Sequence, residues 1–169
     1  MTNRSNKYFP SFIPLNLEFS PRLRVIDNFS DYISFNVCNK EMVLESFSSS
    51  SIAIITSNVS IKNNVTTSIS HMHIYNKPIT KIIYYMVHIT STEAELFAIR
   101  CSINQTTNFN NIFKIIIITN SIYTAKNIFK LSVHLYQVQS ATILSNLCNF
   151  FNCCENNSIE FWECPSHLR

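Results

Sequence analysis

The chain contains no glycine. At ordinary usage of about 7%, a protein of 169 residues carries roughly twelve. That absence excludes architectures whose chemistry needs a residue without a Cβ. A Walker loop, a GxGxxG dinucleotide turn and a GxSxG nucleophile elbow cannot be built here. Collagen-like repeats and glycine-rich linkers are excluded too. Backbone at positive φ must come from Asn, whose short polar side chain tolerates the left-handed region. Asn is abundant, at 21 residues, so tight hairpins and helix C-caps are expected to use it.

The remaining composition permits a globular core. Hydrophobic residues make up 46% of the chain, charged residues 14%, and the net charge is +3, too small to demand a nucleic-acid partner. Residues 79–89 are the most apolar stretch, but Lys81 and His88 interrupt it, so no membrane span is expected. Arg4, Lys7 and Pro10 near the start leave no apolar signal region, which gives an intracellular expectation. Six cysteines in that context read as reduced thiols.

Periodicity is weak over residues 1–50, which Pro10, Pro14 and Pro21 break and a serine run closes. This part reads as a weakly structured extension or linker with one short helix over 41–47. Residues 51–169 read as the folded domain. Within it, 52–56 is a buried strand, 66–75 a half-exposed strand and 80–89 a third. Asn63-Asn64 and Asn76-Lys77-Pro78 supply the turns between them.

The period then changes to that of a helix over 92–105, opened by a capping box of Thr92 and Glu95, with Ser91 as a competing cap. The near-continuous apolar run from Phe113 to Thr119 is that of a strand covered on both faces. Helices over 121–129 and 137–151 and a strand over 159–163 follow. The order β-β-β-α-β-α-α-β predicts an α/β fold with a mixed five-stranded sheet flanked by helices.

In such a sheet, chemistry gathers at the carboxyl ends of inner strands. There the sequence resembles the type 1 ribonuclease H domain of retrotransposon polyproteins, of the non-LTR kind. Residues 91–100 (STEAELFAIR) resemble that family's acidic-helix motif, and 116–121 (IIITNS) its strand motif ITDS. Residues 56–62 (TSNVSIK) resemble TDxS one position less cleanly, and 161–166 (FWECPS) a late strand segment. The resemblance covers residues 50–169.

The resemblance implies an endonuclease that hydrolyses RNA in RNA/DNA hybrids through two Mg²⁺ ions about 4 Å apart. It sets Glu95 on the helix carboxylate, Asn58 on the first-strand aspartate and Asn120 on the later-strand aspartate. It also implies nucleic-acid contacts at Ser60, Lys62 and Ser121, and an upstream reverse transcriptase in a full-length element. The last carboxylate has no counterpart, because the sequence stops soon after the fifth strand, and the final helix of the fold would be missing with it.

Asn58 and Asn120 keep a carbonyl oxygen but lose the charge that Mg²⁺ prefers. They make this copy a catalytically impaired pseudoenzyme with a weak Mg²⁺ site at best. The alternatives are a non-catalytic nucleic-acid binding module and a decayed retroelement product without function. The missing glycines fit such decay: Gly and Ala codons are GC-rich, Asn and Ile codons AT-rich, and one G-to-A change turns Asp into Asn.

Other groups have plainer readings. Glu95 by itself reads as the capping-box member. His71 and His73 read as half-exposed strand histidines. Cys148, Cys153, Cys154, Cys164 and His167 fit no zinc template, so no zinc is expected. Phe161 and Trp162 read as core rather than as stacking surfaces. Lys62, Lys77, Lys81 and Lys126 read as solvated lysines as readily as phosphate contacts.

Overall fold

A computed structural model describes residues 30–87, 89–107, 109–128 and 137–164. Its strands are β1 (Ile33–Val37), β2 (Ile52–Lys62), β3 (Val65–Ile74), β4 (Thr80–Val87), β5 (Lys114–Thr119) and β6 (Ser158–Glu163). Its helices are α1 (Lys40–Phe47), α2 (Ser91–Thr106), α3 (Ile122–Ile128) and α4 (Gln137–Cys153). One sheet runs in the order β1-β6-β5-β2-β3-β4. β2, β3 and β4 form the expected antiparallel meander. β5 lies parallel to β2, β6 parallel to β5, and β1 parallel to β6.

The meander turns where asparagine permits. Asn63 and Asn64 have φ of 51° and 62°, and Asn76 has φ of 60°. Two successive left-handed residues between β2 and β3 match the right-handed twist of a tight hairpin. The helix ends differ from expectation. α1 and α2 close on Ser48 and Thr107 in right-handed geometry, Thr107 N–H bonding to the Ile103 carbonyl at 3.0 Å. No left-handed residue is needed when the last turn closes on its own carbonyls.

Strand alternation sorts the core into two layers. Ala53, Ile55, Ile115, Ile117, Ile159 and Phe161 pack with Leu96, Ile99 and Ile103 of α2 and Leu144 and Leu147 of α4. On the other face Ile54, Ile116 and Trp162 pack under Met42, Val43 and Phe47 of α1. β5 is buried on both faces, as its isoleucine run requires.

Among the described residues the sheet has six strands, not five. The additional strand, β1, precedes residue 50 and pairs with the outer edge of β6. ISFNV is short and only partly buried, so its sequence carries little alternation. What makes it a strand is the edge that β6 offers. α1 lies where the short helix was expected and covers Trp162, which is 2% exposed. A chain starting at residue 30 should therefore withstand more urea than one starting at 51, which uncovers Trp162 and the β6 edge. Equal denaturation midpoints would show that β1 and α1 add no stability.

α2 is tied to the meander by Tyr84 of β4, whose ring meets Phe97 edge-on at 4.9 Å between centroids. A hydrogen bond with Cys101, followed by burial, pushes the Tyr84 hydroxyl up to about 12. Because the folded chain holds this proton more tightly than the unfolded one, its contribution is complete below pH 10 and declines as pH rises towards 12. Tyr84→Phe should flatten the fall in melting temperature across that window.

Candidate functional site

The parallel strands β2, β5 and β6 deliver their carboxyl ends to one side of the molecule. β5 ends at Thr119, which is 2% exposed and stands opposite Glu163 of β6. The Cys164 N–H holds the Thr119 carbonyl at 2.9 Å. The Thr119 hydroxyl accepts the Ser121 N–H at 3.1 Å. The Ser121 and Thr124 hydroxyls lie 2.6 Å apart. The Thr124 hydroxyl, in turn, donates to Glu95 Oε2 at 3.0 Å. A chain of hydroxyls thus joins the β5 terminus to the α2 carboxylate.

Glu95 is free for this role because it is not the cap. The capping box is one frame earlier than expected: the Thr90 side chain accepts the Glu93 N–H at 3.2 Å, and the Glu93 carboxylate accepts the Thr90 N–H at 2.9 Å. Both frames place a glutamate three residues after a threonine, so the sequence motif fits either. Thr90 has the extended backbone an N-cap needs (φ −77°, ψ 159°), whereas Thr92 is already helical. Thr90→Ala should cost about 1 kcal/mol in urea unfolding, and Thr92→Ala should cost less than half of that.

The expected site residues divide between the two faces of the sheet. Ser57 pairs with Ser70, whose hydroxyl bonds Ser102 of α2. Val59 pairs with Ser68, whose hydroxyl donates to the Ala94 carbonyl of α2 at 3.3 Å. These positions share the α2 face, and Glu95 belongs to that helix. Asn58 pairs with Ile69 and lies on the opposite face, as do Ser60 and Lys62, all three exposed. β2 runs unbulged from Ala53 to Lys62 against β3, so nothing rotates Asn58 back.

Asn120 directly follows Thr119 and is exposed, and Ser121 is half-buried in the hydroxyl chain. The structure therefore brings Glu95, Ser121 and the β5 terminus together and leaves Asn58, Ser60 and Lys62 apart. The position of β2 on the Glu95 side is Ser57. Glu163 is a further carboxylate at this end, half-buried and, by alternation with Ile159 and Phe161, on the α2 side. Its signal in the sequence was only its place at a strand end.

These donors do not fit a two-Mg²⁺ centre. Mg²⁺ requires several hard, charged oxygens in near-octahedral order. Ser57 and Asn120 are neutral, and Glu95 already accepts a hydroxyl proton. Among the described residues no group of three His, Cys, Asp or Glu side chains converges to hold a metal. His73 instead meets the Phe47 ring edge-on at 4.5 Å. His167 lies outside the described residues, and Trp162 donates to the half-buried Glu160 at 2.7 Å.

No protein-family model and no curated protein matches the chain. Solved structures do. The chain is similar to RNase H1 from the halophilic archaeon Halobacterium salinarum, with a TM-score of 0.51, 9% identity, and 69% of this chain and 88% of that one covered. It is also similar to the N-terminal RNase H domain of a Mycobacterium tuberculosis protein, solved as a maltose-binding-protein fusion. There the TM-score is 0.55, the identity 9%, and the coverage 69% and 89%. The class is thus a ribonuclease H-like α/β fold. Among the described residues no helix is long and apolar enough to cross a membrane.

Proposed function

We propose that this chain is a ribonuclease H-like domain that engages RNA/DNA hybrid but has lost efficient hydrolysis, as in a degenerate retrotransposon copy. The observation that carries the reading is that, apart from Glu163, the strand-end side chains on the α2 side are neutral. Ser57 lies on that side of the sheet, Asn120 closes β5, and the Glu95 carboxylate is bonded to Thr124. Each missing negative charge at ligand distance removes several kcal/mol of attraction for a divalent cation, at an effective dielectric of about 20. A tenfold loss of rate needs only about 1.4 kcal/mol.

The register supports Ser57, rather than Asn58, as the counterpart of the first-strand aspartate. The reading "TS" for "TD" at 56–57 also keeps the threonine of that motif in place. Hybrid then lies across the carboxyl ends of β2 and β5, with the first turns of α2 and α3 beside it. What this chain's residues supply there is hydrogen bonding through Ser121 and Asn120, with Glu95 held in orientation by Thr124.

The test is a cleavage assay on RNA/DNA hybrid with Mg²⁺ and with Mn²⁺. The unaltered chain should cleave at least about 1000-fold more slowly than the S57D/N120D variant, the loss expected for two absent charges. Glu95→Ala should abolish the activity that S57D/N120D gains, and N58D/N120D should gain none. Turnover by the unaltered chain that Glu95→Ala abolishes would overturn the proposal. Gain in N58D/N120D alone would overturn the assignment to Ser57.

A further inference from the structure

α1 covers only part of its face of the sheet. It lies over Ile54, Ile116 and Trp162, and its Phe47 reaches His73. Beyond that contact, the same face of β2, β3 and β4 stands open among the described residues. The cross-strand registers order it into four rows. Thr56, His71 and Lys81 form the first, and Asn58, Ile69 and Ile83 the second. Ser60, Thr67 and Tyr85 form the third, and Lys62, Val65 and Val87 the last.

Burial alternates along both outer strands in step with this division. Even-numbered β3 residues from 66 to 74 are buried against α2, and odd-numbered ones are not. On β4, Lys81, Ile83, Tyr85 and Val87 are all exposed, Tyr85 at 73%.

The charge within these four rows has one sign. No Asp or Glu occurs between Glu45 and Glu93, a stretch that contains the whole meander, while Lys62, Lys77 and Lys81 all lie in it. Lys77 covers the Phe109 ring at 4.3 Å, which leaves Lys62 and Lys81 as the face's ammonium groups, at opposite ends of the rows. Six residues of strand separate their rows, about 20 Å at roughly 3.3 Å per residue. Between them lie an exposed tyrosine ring, aliphatic side chains, and the hydroxyl and amide groups of Ser60, Thr67 and Asn58.

We infer that this face binds single-stranded nucleic acid. A base stacks on Tyr85 against Ile83 and Val87, while Lys62 and Lys81 meet backbone phosphates on either side. Aromatic stacking flanked by ammonium groups is the chemistry by which proteins hold single strands without reading sequence. A second copy of this chain would bring Lys81 and Lys62 against the same cations, with no carboxylate in the four rows to offset them. An acidic single strand meets no such repulsion. This surface is on the opposite side of the sheet from Glu95, so it does not depend on the hybrid proposal.

The experiment is fluorescence anisotropy with a labelled oligothymidylate of eight nucleotides, run at several salt concentrations. Binding should weaken as salt rises. Tyr85→Ala should weaken it at least about fivefold, Tyr85→Phe should restore it, and Lys81→Glu should weaken it and flatten the salt dependence. These residues are exposed, so the variants should melt like the parent. Binding unchanged by Tyr85→Ala and Lys81→Glu, or no binding at low salt, would overturn the inference. So would a shift from dimer to monomer in sedimentation without a change in oligonucleotide affinity, which would assign the face to self-association. Absence of hybrid cleavage by S57D/N120D leaves this result untouched, because Tyr85 and Lys81 lie on the other face of the sheet.

Discussion

The structure depends on the unbroken ladder that fixes β2 between β3 and β5. Parallel pairing from Ile52 to Thr56 against Lys114 to Ile118 aligns the two central strands. Antiparallel pairing carries β2 on to Lys62 without an extra residue. Side chains in such a strand alternate with a period of two, and a slip by one exchanges every position between faces. The buried pair of Ile54 and Ile116 on one side, and of Ile55 and Ile117 on the other, therefore decides where every later residue of β2 points. It sets Ser57 with α2 and Asn58 away from it. The chemistry at the carboxyl ends follows from aliphatic packing several residues upstream.

Much of this was legible in the sequence where local physics decides alone. The isoleucine run of β5 can be satisfied only between two covered faces. Asn63, Asn64 and Asn76 mark turns because a glycine-free chain has few other residues that accept positive φ. The helix carrying Glu95 follows from its apolar spacing. Other features depend on partners distant in the chain. ISFNV becomes a strand because β6 leaves an edge beside it. Two threonine–glutamate frames compete to start α2, and the backbone at Thr90 selects between them. The TDxS resemblance at 56–62 tolerates a shift of one residue, and the cross-strand register shows that Ser57 lies on the α2 face and Asn58 on the other.

The two faces of the sheet carry different chemistry for the same reason. On the α2 side, buried serines and threonines bond to helix carbonyls and to one another, and the few charged groups collect at the strand termini. On the α1 side, the helix is eight residues long and its Phe47 meets His73 of β3. The outer strands there keep exposed aliphatic, aromatic and ammonium groups. Among the described residues, α2, α3 and α4 cover one face and α1 alone the other, which makes the sheet asymmetric in charge as well as in burial.

The continuity of β2 also governs which changes in length the chain can absorb. Loss of Ser57 would bring Asn58 to the face of Glu95 while leaving the Ile52–Thr56 ladder intact. The cost would fall on the hairpin, where Val59 and Ile61 would change sides or the tight asparagine turn would lose a residue. One residue fewer in this strand would thus exchange a serine for an amide on the α2 face and, in the same step, strip Asn58 and Ser60 from their rows on the other face. Length variation should therefore be absorbed in the α2–β5 connection, where neither face is counted residue by residue.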